Sequence, residues 1–324
     1  MLPSEIYTKA LYYRADLLSE EESIPRYFYT VESTGKEKMN STEVDYGFVM
    51  PLGQADRYQM ADYFIWSSIG LDNIANIGAA YYVKDESSKT IFSLPEAETA
   101  LNKLKSFYNE LGPEAALSMD DQDVVELFMN RRAFMVMADS KALKASEGIL
   151  EDEDWVVYPA PLSDPKPSDD TETQSGSELG IFSSHYDGWS ISSDSDCEEV
   201  AAAFLLYLSN ADNNTYLSGI TGGIPIHSDA IELDDYFSDS HFSGYQLLAD
   251  RAAIGLYHYV QPPKAYDAFI PYEKMVNERY EAFFKGELDA KALLSELDAY
   301  WVKAYETEGQ LWETAPAPIE SPNP

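Results

Sequence analysis

The sequence predicts a layered α/β protein, and three observations predict it. Short β-rich runs alternate with segments of helical periodicity along most of the chain, the pattern of a sheet with helices laid on it. Of the 324 residues, 45% are hydrophobic and 13% aromatic, enough to build a core and far more than a disordered polymer carries. That length also leaves room for two domains of ordinary size.

The elements follow in order. Lys9 to Tyr13 (KALYY), Tyr46 to Met50 (YGFVM), Ala133 to Ala138 (AFMVMA) and Trp155 to Pro159 (WVVYP) are the runs expected to form the sheet. Between them, Ser93-Leu94-Pro95-Glu96 has the spacing of a capping box. Ala97, Ala100, Leu101, Leu104, Tyr108 and Leu111 then recur at helical intervals until Gly112-Pro113 stops the helix. A second helix is expected after Asp120, Asp121 and Asp123, whose carboxylates suit the positive end of a helix, with Val124, Leu127 and Phe128 facing inward. From Pro161 to Gly180 the chain is polar and rich in Pro, Ser and Asp, which marks a loop or boundary. Tyr186 to Ile191 then reads as a short strand, followed by an acidic helix start, an apolar helix over Val200 to Leu208 and the turn Gly222-Gly223-Ile224-Pro225. Two more helical patterns span Tyr272 to Phe284 and Asp289 to Tyr305, separated by Gly286; Thr314 to Pro324, with four prolines, forms a loose tail. No internal repeat is present.

Charge and cysteine content exclude whole classes of function. There are 22 Lys and Arg against 57 Asp and Glu, a net charge of −35 spread over nearly every segment. Such a surface repels itself in dilute buffer, whereas in molar salt the screening length falls to roughly 3 Å, so a salt-loving source is expected. Nucleic acid and anionic membrane surfaces are excluded as partners, because both need a basic footprint. The single cysteine, Cys197, rules out an internal disulfide framework or a multi-cysteine metal site. No run reaches the length of a transmembrane helix, and MLPSEIYTKALYYRADLL lacks the regions of a signal peptide. Asn40-Ser41-Thr42 and Asn213-Asn214-Thr215 match the N-glycosylation acceptor pattern, a hint of an external location.

No catalytic signature stands out. The four histidines, His185, His227, His241 and His258, form no HExxH pair, and the Gly-rich phosphate loops, the GxSxG elbow and the EF-hand loop are all missing from the sequence. No metal and no nucleotide cofactor is expected. Carboxylate pairs are common in so acidic a chain and carry no weight by themselves. What remains is an aromatic surplus of 24 Tyr, 14 Phe and 5 Trp. Trp189 follows a glycine beside the strand at His185-Tyr186-Asp187, Trp66 ends the run Tyr63-Phe64-Ile65-Trp66, and Tyr272 begins a helix after Pro271. Aromatic faces flanked by polar groups are how sugars are held, the ring covering C–H patches while neighbours satisfy hydroxyls.

Five segments then occur in one order. Tyr12-Tyr13-Arg14-Ala15-Asp16-Leu17-Leu18 resembles the YYxxDLL segment of the extracellular solute-binding proteins of ABC importers, in the sugar-binding cluster that includes maltodextrin-binding proteins. Tyr46-Gly47-Phe48 is similar to the next strand of that family, and Phe92 to Ala97 to its FNSPEA helix start. Phe128 to Met135 is similar to its F..GraAM unit, and Gly188-Trp189 through Leu208, with Gly222 to Pro225, to its GGW unit.

This resemblance implies a type II periplasmic-binding-protein-like α/β fold of two lobes, with ligand held in the cleft and trapped by hinge closure. It divides the chain into 1–157 plus 225–312 as the C-terminal lobe, 160–222 as the remaining part of the N-terminal lobe, and 313–324 as tail. It also implies further residues ahead of the crossing segment, carrying the secretion signal and the first strands of the N-terminal lobe, which this sequence lacks. By the same resemblance Tyr7 lies on a crossing strand facing the cleft. Arg57, Tyr58, Tyr63 and Trp66 line one lobe's rim, Asp187 and Trp189 the other, and Tyr272 supplies a stacking ring from a late helix. Asp139-Ser140-Lys141 and Asn130-Arg131 depart from the family pattern, the latter replacing a turn glycine. The function implied is reversible capture of a carbohydrate at the cell surface and its delivery to a membrane permease, without chemistry or cofactor, by a monomer when complete. Two alternatives compete with it: a glycoside hydrolase using paired carboxylates, and a shortened interaction or relic protein without ligand.

Overall fold

One residue separates strands of two different sheets, and this step organises the molecule. The computed structural model describes residues 2–7, 9–19, 24–41, 44–54, 56–70, 73–74, 80–84, 86–139, 154–158, 160–164, 185–227 and 267–308. β1 (Leu2–Tyr7) belongs to a three-stranded sheet, and β2 (Lys9–Arg14) to a four-stranded one.

The larger sheet has the order β3-β6-β2-β7, with β3 at Tyr46–Val49, β6 at Ala133–Asp139 and β7 at Trp155–Tyr158. These are the four apolar runs that the sequence marks as strands. β3 runs parallel to β6, while β6 and β7 run antiparallel to β2, with Leu11 opposite Met137 and Tyr12 opposite Val157. Its strands read as continuous apolar runs because both faces are covered. Leu11, Tyr13, Phe48, Met135 and Met137 join the core under the helices α1 (Phe28–Asn40), α2 (Arg57–Ile69) and α3 (Pro95–Leu111). Ala10, Tyr12, Val49, Val136 and Ala138 pack on the other face against Val124, Val125 and Phe128 of α4 (Asp121–Met129). Successive residues of a strand point to opposite faces, so each run feeds both cores. A hairpin of β4 (Tyr82–Val83) and β5 (Glu86–Thr90) adds to this side of the molecule. So do two late helices, separated by Gly286 in the left-handed region (φ 78°), which place Tyr272 and Trp301 in the first core.

Local rules explain the helix ends, with one correction to the sequence reading. Asp120 caps α4 as expected: its side chain accepts from the Asp123 N–H at 3.0 Å and Asp123 accepts from the Asp120 N–H at 3.2 Å. The expected capping box at Ser93 does not form. Ser93 lies in a short 3-10 turn and donates to the Thr90 carbonyl at 2.7 Å, while Leu94 precedes the helix and Pro95 opens it. Where Asn130-Arg131 replaces a turn glycine, Arg131 adopts φ 60°, the left-handed region that glycine favours. One glycine is demanded by a close approach. A Cβ on Gly47 of β3 would lie 2.6 Å from the backbone of Gly35, so only this pair lets α1 seat on the strand.

The smaller sheet has the order β8-β1-β9, with β8 at His185–Trp189 and β9 at Ile224–Pro225. Both pair antiparallel to β1, Tyr7 opposite His185, Leu2 opposite Trp189 and Glu5 opposite Pro225. Thus β1, inside the range 1–157 expected for one lobe, is the central strand of the sheet built from residues 185–225. α5 (Glu198–Leu208) and α6 (Ala211–Thr221) accompany it. Numbering continues with α7 (Phe269–Phe284) and α8 (Ala290–Glu308) on the larger sheet's side. Among the described residues no helix is long and apolar enough to cross a membrane. The expected tail at 313–324, most of the boundary loop and two histidines, His241 and His258, lie outside the described residues.

Candidate ligand site at the crossing between the sheets

Polar side chains converge from both sheets on the step between Tyr7 and Lys9. Glu5 and Tyr7, two residues apart, share one face of β1. Both are buried, and the Tyr7 hydroxyl donates to Glu5 Oε2 while Thr221 Oγ1 donates to Glu5 Oε1. Gly222 ends α6 in the left-handed conformation (φ 82°), and a Cβ on Gly223 would meet Glu5 and Tyr7 at 3.0 Å, so these two glycines bring the end of α6 onto β1. Asn214 braces the same contact, donating to the Ser4 carbonyl at 2.5 Å and accepting from the Ile226 N–H at 3.0 Å. Asp187 stands opposite Glu5 on β8.

Beyond the step, Lys9 is buried with its ammonium held by Asp56 at 2.8 Å and Asp121 at 2.5 Å. Asp121 also accepts the Asp139 N–H at 2.9 Å, which ties the start of α4 to β6. Burial pulls the Lys9 pKa down, but the charges of Asp121 and Asp56 outweigh it and the net shift is upward. Burial raises the Asp56 carboxyl, with Lys9 opposing. One cation therefore stands among several carboxylates, a surround that suits an uncharged hydroxylated ligand and opposes an anionic one. Among the described residues no cluster of His, Cys, Asp or Glu is arranged to hold a metal ion.

The structure does not bring together the aromatic rings that the resemblance placed around a ligand. Trp66 is 1% exposed, its indole N–H donates to the Ala80 carbonyl at 3.1 Å, and it stacks on Tyr81 at 6.2 Å. Tyr272 is fully buried against Tyr81 at 5.4 Å and Trp301 at 4.9 Å. Tyr63 donates to the Pro161 carbonyl, with its ring edge-on to Phe28. The reason is that α2 is buried nearly all round, Arg57, Asp62 and Ser67 included, so Tyr63-Phe64-Ile65-Trp66 is helical core and not rim. Arg57 is a buried brace: it donates to the carbonyls of Leu52 at 2.9 Å, Leu117 at 2.8 Å and Asn277 at 3.0 Å and pairs with Glu281 at 2.9 Å. Tyr58 donates to Glu273 at 3.1 Å, and burial pushes its pKa well up. Trp189 is 45% exposed, but its place opposite Leu2 sets it at the end of β1 away from the step, about 16 Å from Tyr7 at ~3.3 Å per residue. Sequence reasoning missed Glu5, Lys9, Asp56, Asp121 and Thr221. A lysine opening an otherwise apolar strand was the available signal.

The family model of the bacterial extracellular solute-binding proteins matches residues 1–244, three quarters of the chain. The chain belongs to that family. No curated protein matches its sequence. Solved structures do match its fold. Against the maltose-bound MalE3 of T. maritima the TM-score is 0.68 at 17% identity, covering 96% of this chain and 72% of that one. A solute-binding protein of an ABC transporter from Thermotoga lettingae TMO, bound with α-D-tagatose, gives 0.69 at 17% identity over 94% and 71%. One from Agrobacterium radiobacter K84, in complex with ribitol, gives 0.64 at 16% identity over 94% and 70%. The fold is the type II α/β fold of the periplasmic sugar-binding proteins.

Proposed function

We propose that this solute-binding protein is the substrate-binding component of an ABC importer, taking up a sugar or oligosaccharide at the crossing between its two sheets and passing it, unaltered, to a membrane permease outside the cell. The observation that carries the reading is the single-residue step from Tyr7 to Lys9. Two sheets joined so closely can rotate about the step, and side chains beside it exchange neighbours when they do. The ligands of the fold neighbours, maltose, α-D-tagatose and ribitol, are all uncharged polyols, which agrees with the carboxylate-rich, cation-poor surround of this step. In this reading Tyr7 and Asp187 hydrogen-bond ligand hydroxyls and Glu5 positions the Tyr7 hydroxyl. Trp189 offers a ring face at the outer end of β8. Arg57, Tyr58, Tyr63, Trp66 and Tyr272 keep α2 and α7 rigid behind the site.

Thermal unfolding in molar salt with maltose, maltotriose, tagatose and ribitol tests the reading. A true ligand at a hundred times its Kd adds about 2.7 kcal/mol of stability. Tyr7→Phe and Asp187→Asn should weaken that shift, read for each variant against its own ligand-free Tm. An absence of any shift with every sugar tested, or release of hydrolysed sugar, overturns the reading.

A further inference from the structure

Segments remote from β2 in sequence meet on its first side chain. β3 runs parallel to β6, Phe48 opposite Met135, while β2 runs antiparallel to β6 with Lys9 opposite Asp139. The carboxyl ends of β3 and β6 therefore lie on the same edge of the larger sheet as Lys9, the edge from which the chain steps to β1. In an open α/β sheet that edge is where ligands sit. The chain leaves β3 there through a turn at Gly53, whose N–H donates to the Met119 carbonyl at 2.8 Å. A Cβ on Gly53 would lie 2.7 Å from that oxygen, so glycine alone allows the approach. Arg57, at the start of α2, donates to the carbonyls of Leu52 and Leu117. Neither contact involves the sheet. Lys9 supplies that link: its ammonium bonds Asp56, at the N-cap position of α2, and Asp121, the first residue of α4, and Asp121 accepts the N–H of Asp139, the last residue of β6.

We infer that Lys9 is a positioning residue: its ammonium sets where the Gly53 turn and the end of β6 stand relative to the step, and so fixes the larger sheet's rim of the ligand site, a role that rests on the transport reading, since a rim matters only where something binds. The physical basis is burial. Lys9 is 4% exposed and Asp56 8%, so water screens their attraction little and the ion pair holds a defined geometry. An uncharged residue of the same length at position 9 would leave Asp56 and Asp121 facing each other without a cation, an arrangement that a buried site does not tolerate. Relief comes from moving the two carboxylates apart. Asp56 then carries the turn with it, and Asp121 releases the Asp139 N–H that it holds at 2.9 Å. Lys9 acts through these two carboxylates and needs no contact with the ligand itself.

Lys9→Met keeps the length of the side chain and removes its charge. Hydrogen exchange in that variant should speed up at the Gly53 and Asp139 amides by roughly tenfold more than at the amides of α3, which register any loss of overall stability. Equal acceleration in all three places would mean that Lys9 contributes to stability alone, and unchanged exchange at Gly53 and Asp139 would mean that it holds neither segment; each result overturns the inference. A second measurement separates position from stability. In the double variant Lys9→Met, Asp121→Asn one of the two facing carboxylates is neutral, which should recover much of the urea midpoint, while Asp56 still lacks its ammonium. For whichever of maltose, maltotriose, tagatose and ribitol binds the parent chain, calorimetry should give a Kd weaker by about tenfold in both variants. A Kd that returns to the parent value together with the midpoint overturns the inference. If the parent chain binds none of these sugars, the transport reading fails on its own, and exchange at Gly53 and Asp139 still decides whether Lys9 holds the two segments.

Discussion

The two sheets of this protein carry opposite kinds of surface. Around β3-β6-β2-β7 every long helix turns its apolar stripe onto a filled core, and Trp66, Trp301, Tyr12 and Phe107 are all fully buried. Around β8-β1-β9, α5 is richer in apolar residues than any of those helices and buries none. Burial of apolar area, at about 25 cal/mol per Å², is what stabilises a domain. The first region therefore holds itself together, and the second relies on what it touches. The contrast teaches that hydrophobic content predicts a core only where a second layer is present to receive it.

Two substitutions would break the comparison most visibly. Phe107, packed against Phe28, Phe48 and Phe64, should lose about 3–5 kcal/mol of stability to urea when changed to alanine, because a cavity remains. Phe204→Ala, at a residue of the same type on α5, should stay within about 0.5 kcal/mol in this chain. Equal losses at the two sites would show that the regions do not differ as described.

Lys9, the first residue of β2 after the step, gives an effect of similar size. Lys9→Ala leaves Asp56 and Asp121 facing each other without their ammonium, and breaking a buried pair costs about 3–5 kcal/mol. The pH dependence has a definite sign. Burial already raises the folded pKa of Asp56 above its unfolded value, and removing Lys9, which opposes that rise, moves it further up. A group with a raised folded pKa favours the folded state at low pH, so the loss in Lys9→Ala should be full at neutral pH and shrink as pH falls toward about 3.9. Urea titrations across that window check it; a loss independent of pH would place the effect in packing alone.

Much of the larger sheet was legible in the sequence, and the physical reason is local. All four of its strands are apolar on both faces, so each run announces itself without knowledge of its partners, and α4 carries its own cap at Asp120. α2 was illegible because polar Arg57, Asp62 and Ser67 share its buried surface with the apolar residues, which blurs the stripe that periodicity detects. β1 was illegible because its pattern, Leu2–Tyr7, interleaves a serine and a glutamate that only α6 and β9 explain. The candidate site divides in the same way. Tyr7 and Asp187 came from family resemblance, and the backbone puts Tyr7 at the end of β1 and Asp187 opposite Glu5, whereas Trp66 and Tyr272 sit in the core: an isolated aromatic in a sequence does not say which of its faces is covered.

A smaller effect sharpens the account of the turn after α4. Arg131 holds φ 60° where the family pattern has glycine, and a left-handed non-glycine residue costs about 1–2 kcal/mol in backbone strain. Arg131→Gly gives up exposed ion pairs with Asp16 and Asp154, worth little in solvent, and adds freedom to the unfolded chain. A net gain of about 0.5 kcal/mol or less in urea is expected, and a clear loss would mean that the Arg131 contacts outweigh the strain.

An effect of comparable size asks whether the charge surplus is a burden that salt relieves. Glu32 accepts hydrogen bonds from Lys36 at 2.7 Å and Lys103 at 2.9 Å, which hold its carboxyl below the usual carboxylate range. Because the folded pKa is the lower one, the stabilisation is present above the unfolded value of about 4.3 and is lost as pH falls through the folded value. Glu32→Gln should cost about 0.2–1 kcal/mol at neutral pH in dilute buffer, less below that window, and nothing measurable in molar salt. The whole chain should behave in the opposite sense: with a net charge of −35, its urea midpoint should rise as salt screens the repulsion that Glu32 and its two lysines locally offset. A midpoint that falls with salt in the parent chain would show that local pairs such as this one, and not the surplus, dominate its electrostatics.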